Sequence, residues 1–234
     1  MATTGHTVKA FDEDLGQIRA LVSEMGGRAE AAIAGSIEAL TRRDEEAAHR
    51  IVEADRRIDE LELEIEQQVV RLIALRAPMA DDLREVLAAM KIAGIVERIG
   101  DYAKNIAKRV PLLPASAGIE PISIVPAMAN AASAMVHDVL DAFVRRDARM
   151  ALDVVDRDKE VDGFYNSLFR TLLTYMMENP HIITPATHIL FIAKNLERIG
   201  DHATNVAEMV YFAATGKQMA ERQRGEDALA PVEA

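Results

Sequence analysis

An elongated all-α fold of two tandem, pseudo-repeated three-helix bundles, with six long helices, follows from three observations on the 234-residue sequence. Aromatic residues make up only 4% and Trp is absent, while Ala, Leu, Ile, Val, Glu and Arg dominate, a vocabulary that favours long helices over strands. Apolar residues recur at spacings of three and four along most of the chain, the period of a helix with one buried face. The third observation is a duplication. The stretch Glu97-Arg98-Ile99-Gly100-Asp101-Tyr102-Ala103-Lys104-Asn105-Ile106-Ala107 returns 100 residues later as Glu197-Arg198-Ile199-Gly200-Asp201-His202-Ala203-Thr204-Asn205-Val206-Ala207, with eight of the eleven positions identical. A fixed offset of this kind marks a chain built twice from one unit.

The first helix is expected over about residues 8–42, through Phe11, Leu15, Ile18, Val22, Met25, Ile33, Ile37 and Leu40, weakened in its middle by Gly26-Gly27. Thr41-Arg42-Arg43-Asp44 reads as a tight reversal, with Asp44 as N-cap of a second helix over about 45–76. Pro78 ends that helix, because proline lacks the N–H and displaces its predecessor from helical dihedrals. A third helix runs from about Asp81 to Arg109. Residues 111–124 hold three of the eight prolines together with Gly118 and read as a linker between a first bundle, 1–110, and a second, 125–215. The second copy repeats the plan. Helices are expected over about 125–145, 148–178 and 185–214, with Arg145-Arg146-Asp147 as reversal and Asn179-Pro180 as break. The tail 216–234 has too little apolar content to pack and reads as disordered.

Composition also excludes functions. A net charge of -11 and a pI near 5.1 disfavour a nucleic-acid partner, which needs clustered Lys and Arg. The absence of cysteine rules out disulfides and thiolate metal sites. No stretch approaches the eighteen apolar residues of a membrane span and the start lacks a leader pattern, so the expected location is the cytoplasm.

In each copy of the motif Glu, Asp and Asn recur at i, i+4 and i+8, which sets three oxygen-bearing side chains in one row on a helix. The rows are Glu97, Asp101, Asn105 and Glu197, Asp201, Asn205. They lie almost opposite the apolar face of Ile92, Ile95, Ile99, Ala103 and Ile106, so they are expected at the surface. Each preceding helix carries a second acidic pair, Asp55 and Asp59 or Asp158 and Asp162. The centres of the two pairs in the first copy are residues 57 and 99, whose midpoint is Pro78; in the second they are 160 and 199, with midpoint 179.5 at Asn179-Pro180. An antiparallel hairpin folded at those prolines therefore brings both pairs to one height, about 30 Å from the turn at 1.5 Å per residue. Carboxylates with an amide oxygen form a hard donor set suited to Mg, Mn, Ca or ferric iron, and less diagnostic of Zn. Solvated acidic faces are the competing reading. Lys104 and Lys108 lie near the first row, but Thr204 and Glu208 replace them, so a lysine clamp is not a shared feature. Gly100 and Gly200 read first as close helix packing, Arg98 and Arg198 as surface ion pairs, and no ligand role is expected for His202, whose counterpart is Tyr102.

The doubled Glu-Arg-Ile-Gly-Asp motif, each copy preceded by an Asp-x-x-x-Asp pair, closely resembles the PhoU family of phosphate-uptake regulators. Phe11-Asp12-Glu13-Asp14-Leu15, Leu75-Arg76-Ala77-Pro78 and Ala193-Lys194-Asn195-Leu196-Glu197 add to the resemblance, which spans roughly residues 6–214. It implies two related three-helix bundles, a homodimer or higher oligomer, and multinuclear clusters of Fe, Mn, Mg or Zn on the acidic pairs. The residues implied as metal ligands are Asp55, Asp59, Glu97, Asp101, Asn105, Asp158, Asp162, Glu197, Asp201 and Asn205. It further implies a cytoplasmic protein that couples the ATPase subunit of a high-affinity phosphate transporter to a phosphate-responsive sensor histidine kinase, and represses the starvation response when phosphate is plentiful. No catalytic role is expected. The alternatives are a metal-binding helical scaffold and a ferritin-like di-metal carboxylate enzyme, which needs two Glu-x-x-His ligand sets. Glu46-His49 lies at a helix start and Glu178-His181 spans the Pro180 break, so neither presents both ligands at bundle mid-height.

Overall fold

The structure, a computed structural model, describes residues 3–113 and 123–219. The inner part of the expected linker and residues 220–234 of the expected disordered tail lie outside the described residues. The helices are α1 (Thr3–Arg42), α2 (Glu45–Ala54), α3 (Arg56–Arg76), α4 (Asp81–Ala107), α5 (Ile124–Arg145), α6 (Ala148–Glu178) and α7 (Ile183–Thr215). Short 3-10 turns follow α4 at Val110–Leu112 and precede α7 at Pro180–Ile182. Among the described residues there is no strand.

The expected second helix is interrupted once, at Asp55, which the periodicity of the chain did not announce. Asp55 keeps right-handed helical dihedrals (φ -57°, ψ -36°), so the chain direction carries on from α2 into α3. Its carbonyl accepts from both Ile58 N–H at 2.7 Å and Asp59 N–H at 3.3 Å, a local tightening toward 3-10 geometry. No such break occurs in α6, where Asp158 lies mid-helix.

The two reversals are built alike. Arg43 and Arg146 take left-handed dihedrals (φ 57° and 55°), and the N–H groups of Asp44 and Asp147 reach back to Ala39 and Ala142 carbonyls at 2.9 Å. A non-glycine residue pays about 1 kcal/mol there, which the two closing hydrogen bonds offset. Asp44 and Asp147 then cap the next helices, accepting from Ala47 N–H at 2.8 Å and from Arg149 and Met150 N–H at 2.9 and 3.0 Å.

Helices α1, α2/α3 and α4 form one group and α5, α6 and α7 the other, joined along α1 with α5 and α4 with α7. One continuous apolar core runs through both groups, from Leu15 and Ile18 to Val206 and Val210. Gly26 does not break α1. A Cβ there would fall 2.2 Å from Leu140 Cδ1 of α5, so the glycine makes room for α5 to pack closely on α1. The groups are also tied by charge. Glu85 of α4, only 2% exposed, receives Arg19 of α1 at 2.7 Å and Arg146 from the α5–α6 reversal at 2.6 Å.

Helices α4 and α7 run antiparallel. Gly216, which closes α7, lies against the Arg84 side chain at the start of α4, and Arg109 beyond the end of α4 meets His188 near the start of α7 at 3.2 Å. Midway, Tyr102 and His202 stack edge to face with centroids 5.2 Å apart. These are the same position in the two copies, so the interface follows a pseudo-two-fold axis through that pair. The hairpin turns at Pro78 and Pro180 accordingly point to opposite ends of the molecule.

Candidate functional site

The structure brings together the acidic pairs that the proline arithmetic placed at one height. In the first copy the Lys104 ammonium bridges Asp55 and Asp101, one carboxylate from each arm of the hairpin. Gly100 makes the approach close: a Cβ there would lie 2.8 Å from Ile58 Cδ1 and 3.4 Å from Asp55 Oδ1. The second copy uses the same device, with a Cβ at Gly200 falling 3.0 Å from Asp158 Oδ1. Both glycines are thus the packing device the sequence suggests; the nearest atom of the opposite helix is Ile58 Cδ1 at Gly100, with Asp55 Oδ1 beyond it, and Asp158 Oδ1 at Gly200.

The rows are less exposed than expected. Glu97, Asp101, Asn105, Glu197 and Asp201 are half-buried, Asp162 is half-buried, and Asp55 and Asp158 are buried at 5% and 2% exposure; only Asp59 and Asn205 are open to solvent. The rows are only partly at the surface because α3 packs beside α4 and α6 beside α7, which brings Asp55 to Lys104 and Asp101 and sets Asp158 against Gly200.

Lys104, set aside in the sequence because its counterpart is Thr204, is the residue at the centre of the first site. Burial alone would lower its pKa, but hydrogen bonds to Asp101 and Asp55 outweigh that and hold it above its usual value. Its signal in the sequence is the i, i+3 relation to Asp101, which a comparison of the two copies discards. In the second copy the Thr204 hydroxyl donates to the Asp201 carbonyl at 2.7 Å, and Lys194 pairs with Glu197. Desolvation, with Asp101, Glu62, Asp59 and Asp55 adding repulsion, pushes the Glu97 carboxyl up to about 7. Asp59 is raised by burial and by Asp55, against the opposing pull of Lys104.

A cleft of about 530 Å³ is lined by Glu62, Lys91, Glu97 and Arg98 from the first copy and Asn205 and Glu208 from the second. At the related place two cations lie over rings: Lys194 is 5.1 Å from the Tyr165 ring centre and Arg109 is 4.3 Å from that of Phe191. The guanidinium of Arg198 lies 5.8 Å over Tyr102, so its role is contact across the axis. His202 is part of that same packing; burial lowers its pKa, against the opposing pull of a hydrogen bond to the Arg198 backbone. Glu46-His49 sits on the first turn of α2, exposed, and Glu178-His181 straddles the end of α6, so neither pair reaches the acidic sites.

Both donor sets are hard oxygens suited to a divalent or ferric cation. As the side chains stand, an ammonium fills the cation position of the first site, and among the described residues no three His, Cys, Asp or Glu converge closely enough to hold a metal. The second site has the same Asp158, Asp162, Glu197 and Asp201 framework with a neutral hydroxyl at the lysine position.

A family model for the PhoU domain matches the chain twice, over residues 22–110 and 125–210. The chain belongs to the PhoU family. Among its relatives are the phosphate-specific transport system accessory protein PhoU homologues of Zymomonas mobilis, 62% identical over 97% of this chain and 95% of that protein, and of Caulobacter vibrioides, 47% identical over 97% and 99%. Two solved PhoU structures share the fold. The one from Pseudomonas aeruginosa superposes with a TM-score of 0.85 at 36% identity, over 88% of this chain and 100% of that one. The phosphate transport system regulatory protein PhoU from Streptococcus pneumoniae gives 0.84 at 28% identity, over 90% and 100%. No described helix is long and apolar enough to cross a membrane.

Proposed function

We propose that this PhoU-family chain regulates phosphate uptake, coupling a high-affinity phosphate transporter to a phosphate-sensing histidine kinase and repressing the starvation response when phosphate is plentiful. The carrying observation is the 62% identity, over 97% of the chain, to a protein named as an accessory of the phosphate-specific transport system. On this reading the partners are the transporter's ATPase subunit and the sensor kinase, met on the cytoplasmic face of the membrane by a homodimer or higher oligomer. The work is binding, not catalysis. The test is deletion of the gene with assay of a phosphate-repressed phosphatase in phosphate-rich medium. Derepression is expected, and normal repression would sink the reading. Pull-down with the ATPase subunit and the kinase, with and without phosphate, separates a phosphate-responsive coupler from a phosphate-independent scaffold.

A second reading concerns the acidic sites, and the donor chemistry supports it. Asp55, Asp59, Glu97, Asp101 and Asn105 on one side, and Asp158, Asp162, Glu197, Asp201 and Asn205 on the other, bind hard cations on this reading. A cation entering the first site has to displace Lys104. Elemental analysis of the purified chain against the Asp59→Ala/Asp101→Ala/Asp162→Ala/Asp201→Ala variant is the check. Equal metal content in both removes the proposal.

A further inference from the structure

Away from the repeated motif, the two copies differ in the space between their first two helices. A groove of about 460 Å³ opens between α1 and α2, floored by Ala32, Gly35, Ala47, Ile51 and Ala54, with Arg28, Arg42 and Arg50 at its rim. The matching reversals, left-handed at Arg43 and Arg146, set the equivalence of the copies here at an offset of 103. Four floor positions thereby acquire counterparts in α5 and α6: Ala32 matches Met135, Gly35 matches Asp138, Ala47 matches Met150 and Ala54 matches Arg157. In the second copy Met135 is 1% exposed, Met150 packs on the core, and Arg157 pairs with Asp138 across the two helices. Every one of these groups is cut back to Ala or Gly in the first copy. A scaffold that closes this gap in one copy leaves it open in the other.

The opening has the size and character of a small-molecule site, apolar within and polar at the edge. Its charges favour an anion. Asp55 at the inner end is held by Lys104, Asp44 is occupied as the α2 cap, and Glu38 and Arg42, both in the lining, cancel one another. Among the described residues, Arg28 and Arg50 form their ion pairs with Glu24 and Glu46, which do not line the groove. Those pairs are exposed and weakly held, so both guanidiniums can turn to a ligand.

We propose that the α1–α2 groove of the first copy binds a free, single-chain amphipathic anion, its aliphatic part on the alanine floor and its headgroup against Arg28 and Arg50. Asp55 belongs to both the groove and the first acidic site, so the ligand sits one side chain away from that site.

The test is titration calorimetry of the full chain with decanoate below its micelle concentration, beside decanol and anionic phospholipid vesicles. One saturable decanoate site is expected. Ala32→Met, which installs the side chain of the second copy, should weaken it at least tenfold with no loss of helical content or thermal midpoint. Arg28→Gln/Arg50→Gln, a surface change, should weaken decanoate severalfold and leave decanol unchanged. No saturable site, or equal affinity in Ala32→Met, overturns the proposal. Equal binding of decanol and decanoate overturns the anionic class, and binding to vesicles without binding of free decanoate overturns the free ligand.

Discussion

The two acidic sites share a frame and differ in counter-charge. In the first, an ammonium of the chain itself joins Asp55 to Asp101; in the second, Thr204 stands at that position and its hydroxyl turns to a backbone carbonyl. Both keep a glycine against a buried aspartate, Gly100 with Asp55 and Gly200 with Asp158. Helix packing therefore fixes where the carboxylates sit, and the means of neutralising them has been free to diverge.

The largest expected effect attacks that difference directly. Lys104→Thr, which gives the first site the second site's residue, leaves a buried Asp55 without its partner and should lower the unfolding free energy in urea, under metal-free conditions, by about 3 kcal/mol. Thr204→Val loses one hydroxyl hydrogen bond and should cost about 1 kcal/mol. Equal losses would mean that the lysine is ornamental and the two sites are electrostatically the same.

The shared frame is tested by the glycines. Alanine adds roughly 1 kcal/mol of helix propensity but overpacks the contact, so Gly100→Ala and Gly200→Ala should each cost about 1–2 kcal/mol net. The neighbour differs: Ile58 Cδ1 at 2.8 Å in the first copy and Asp158 Oδ1 at 3.0 Å in the second. Adding Ile58→Val should rescue Gly100→Ala in thermal unfolding; position 161 is already Val, so the same relief is built into the second copy and Gly200→Ala should keep its cost against Asp158.

A smaller effect is read from pH. Glu97 titrates near 7 in the fold against 4.5 when free, so the folded state binds the extra proton and its stability falls as pH rises between those values. Glu97→Gln removes that slope. After allowance for solvent screening, the metal-free variant should be about 1 kcal/mol more stable than the parent at pH 8, with no difference at pH 4. His202 works in the opposite direction. Its pKa is lowered from 6.5, so the unfolded chain takes up the proton first and stability is lost as pH falls below 6.5. His202→Tyr, which makes the two copies match, should flatten the thermal midpoint between pH 7 and pH 5 by a change smaller than that at Glu97.

Most of the architecture was legible because helix period, proline breaks and the doubled motif act locally. The midpoint of the acidic pairs at Pro78 foretold their meeting, since 1.5 Å per residue is the same on both arms of a hairpin. What escaped was whatever depends on the facing helix. The break at Asp55 follows no local signal; the same aspartate at position 158 leaves α6 intact. Gly26 reads as a weak point until Leu140 is seen in its place. Lys104 has no counterpart in the second copy, and a comparison of the two copies shows what they share, not what distinguishes them. The ion triad on Glu85 joins residues 19, 85 and 146, and no spacing rule connects them.

The stack of Tyr102 on His202 has one more consequence. In a true homodimer, a residue on the symmetry axis can only face itself, and any mutation there is made twice at once. Fusing two units into one chain removes that restriction. A phenol now meets an imidazole at the axis, an unlike pair that no symmetric assembly of the parent unit could place there, and each half can be altered while the other is held constant.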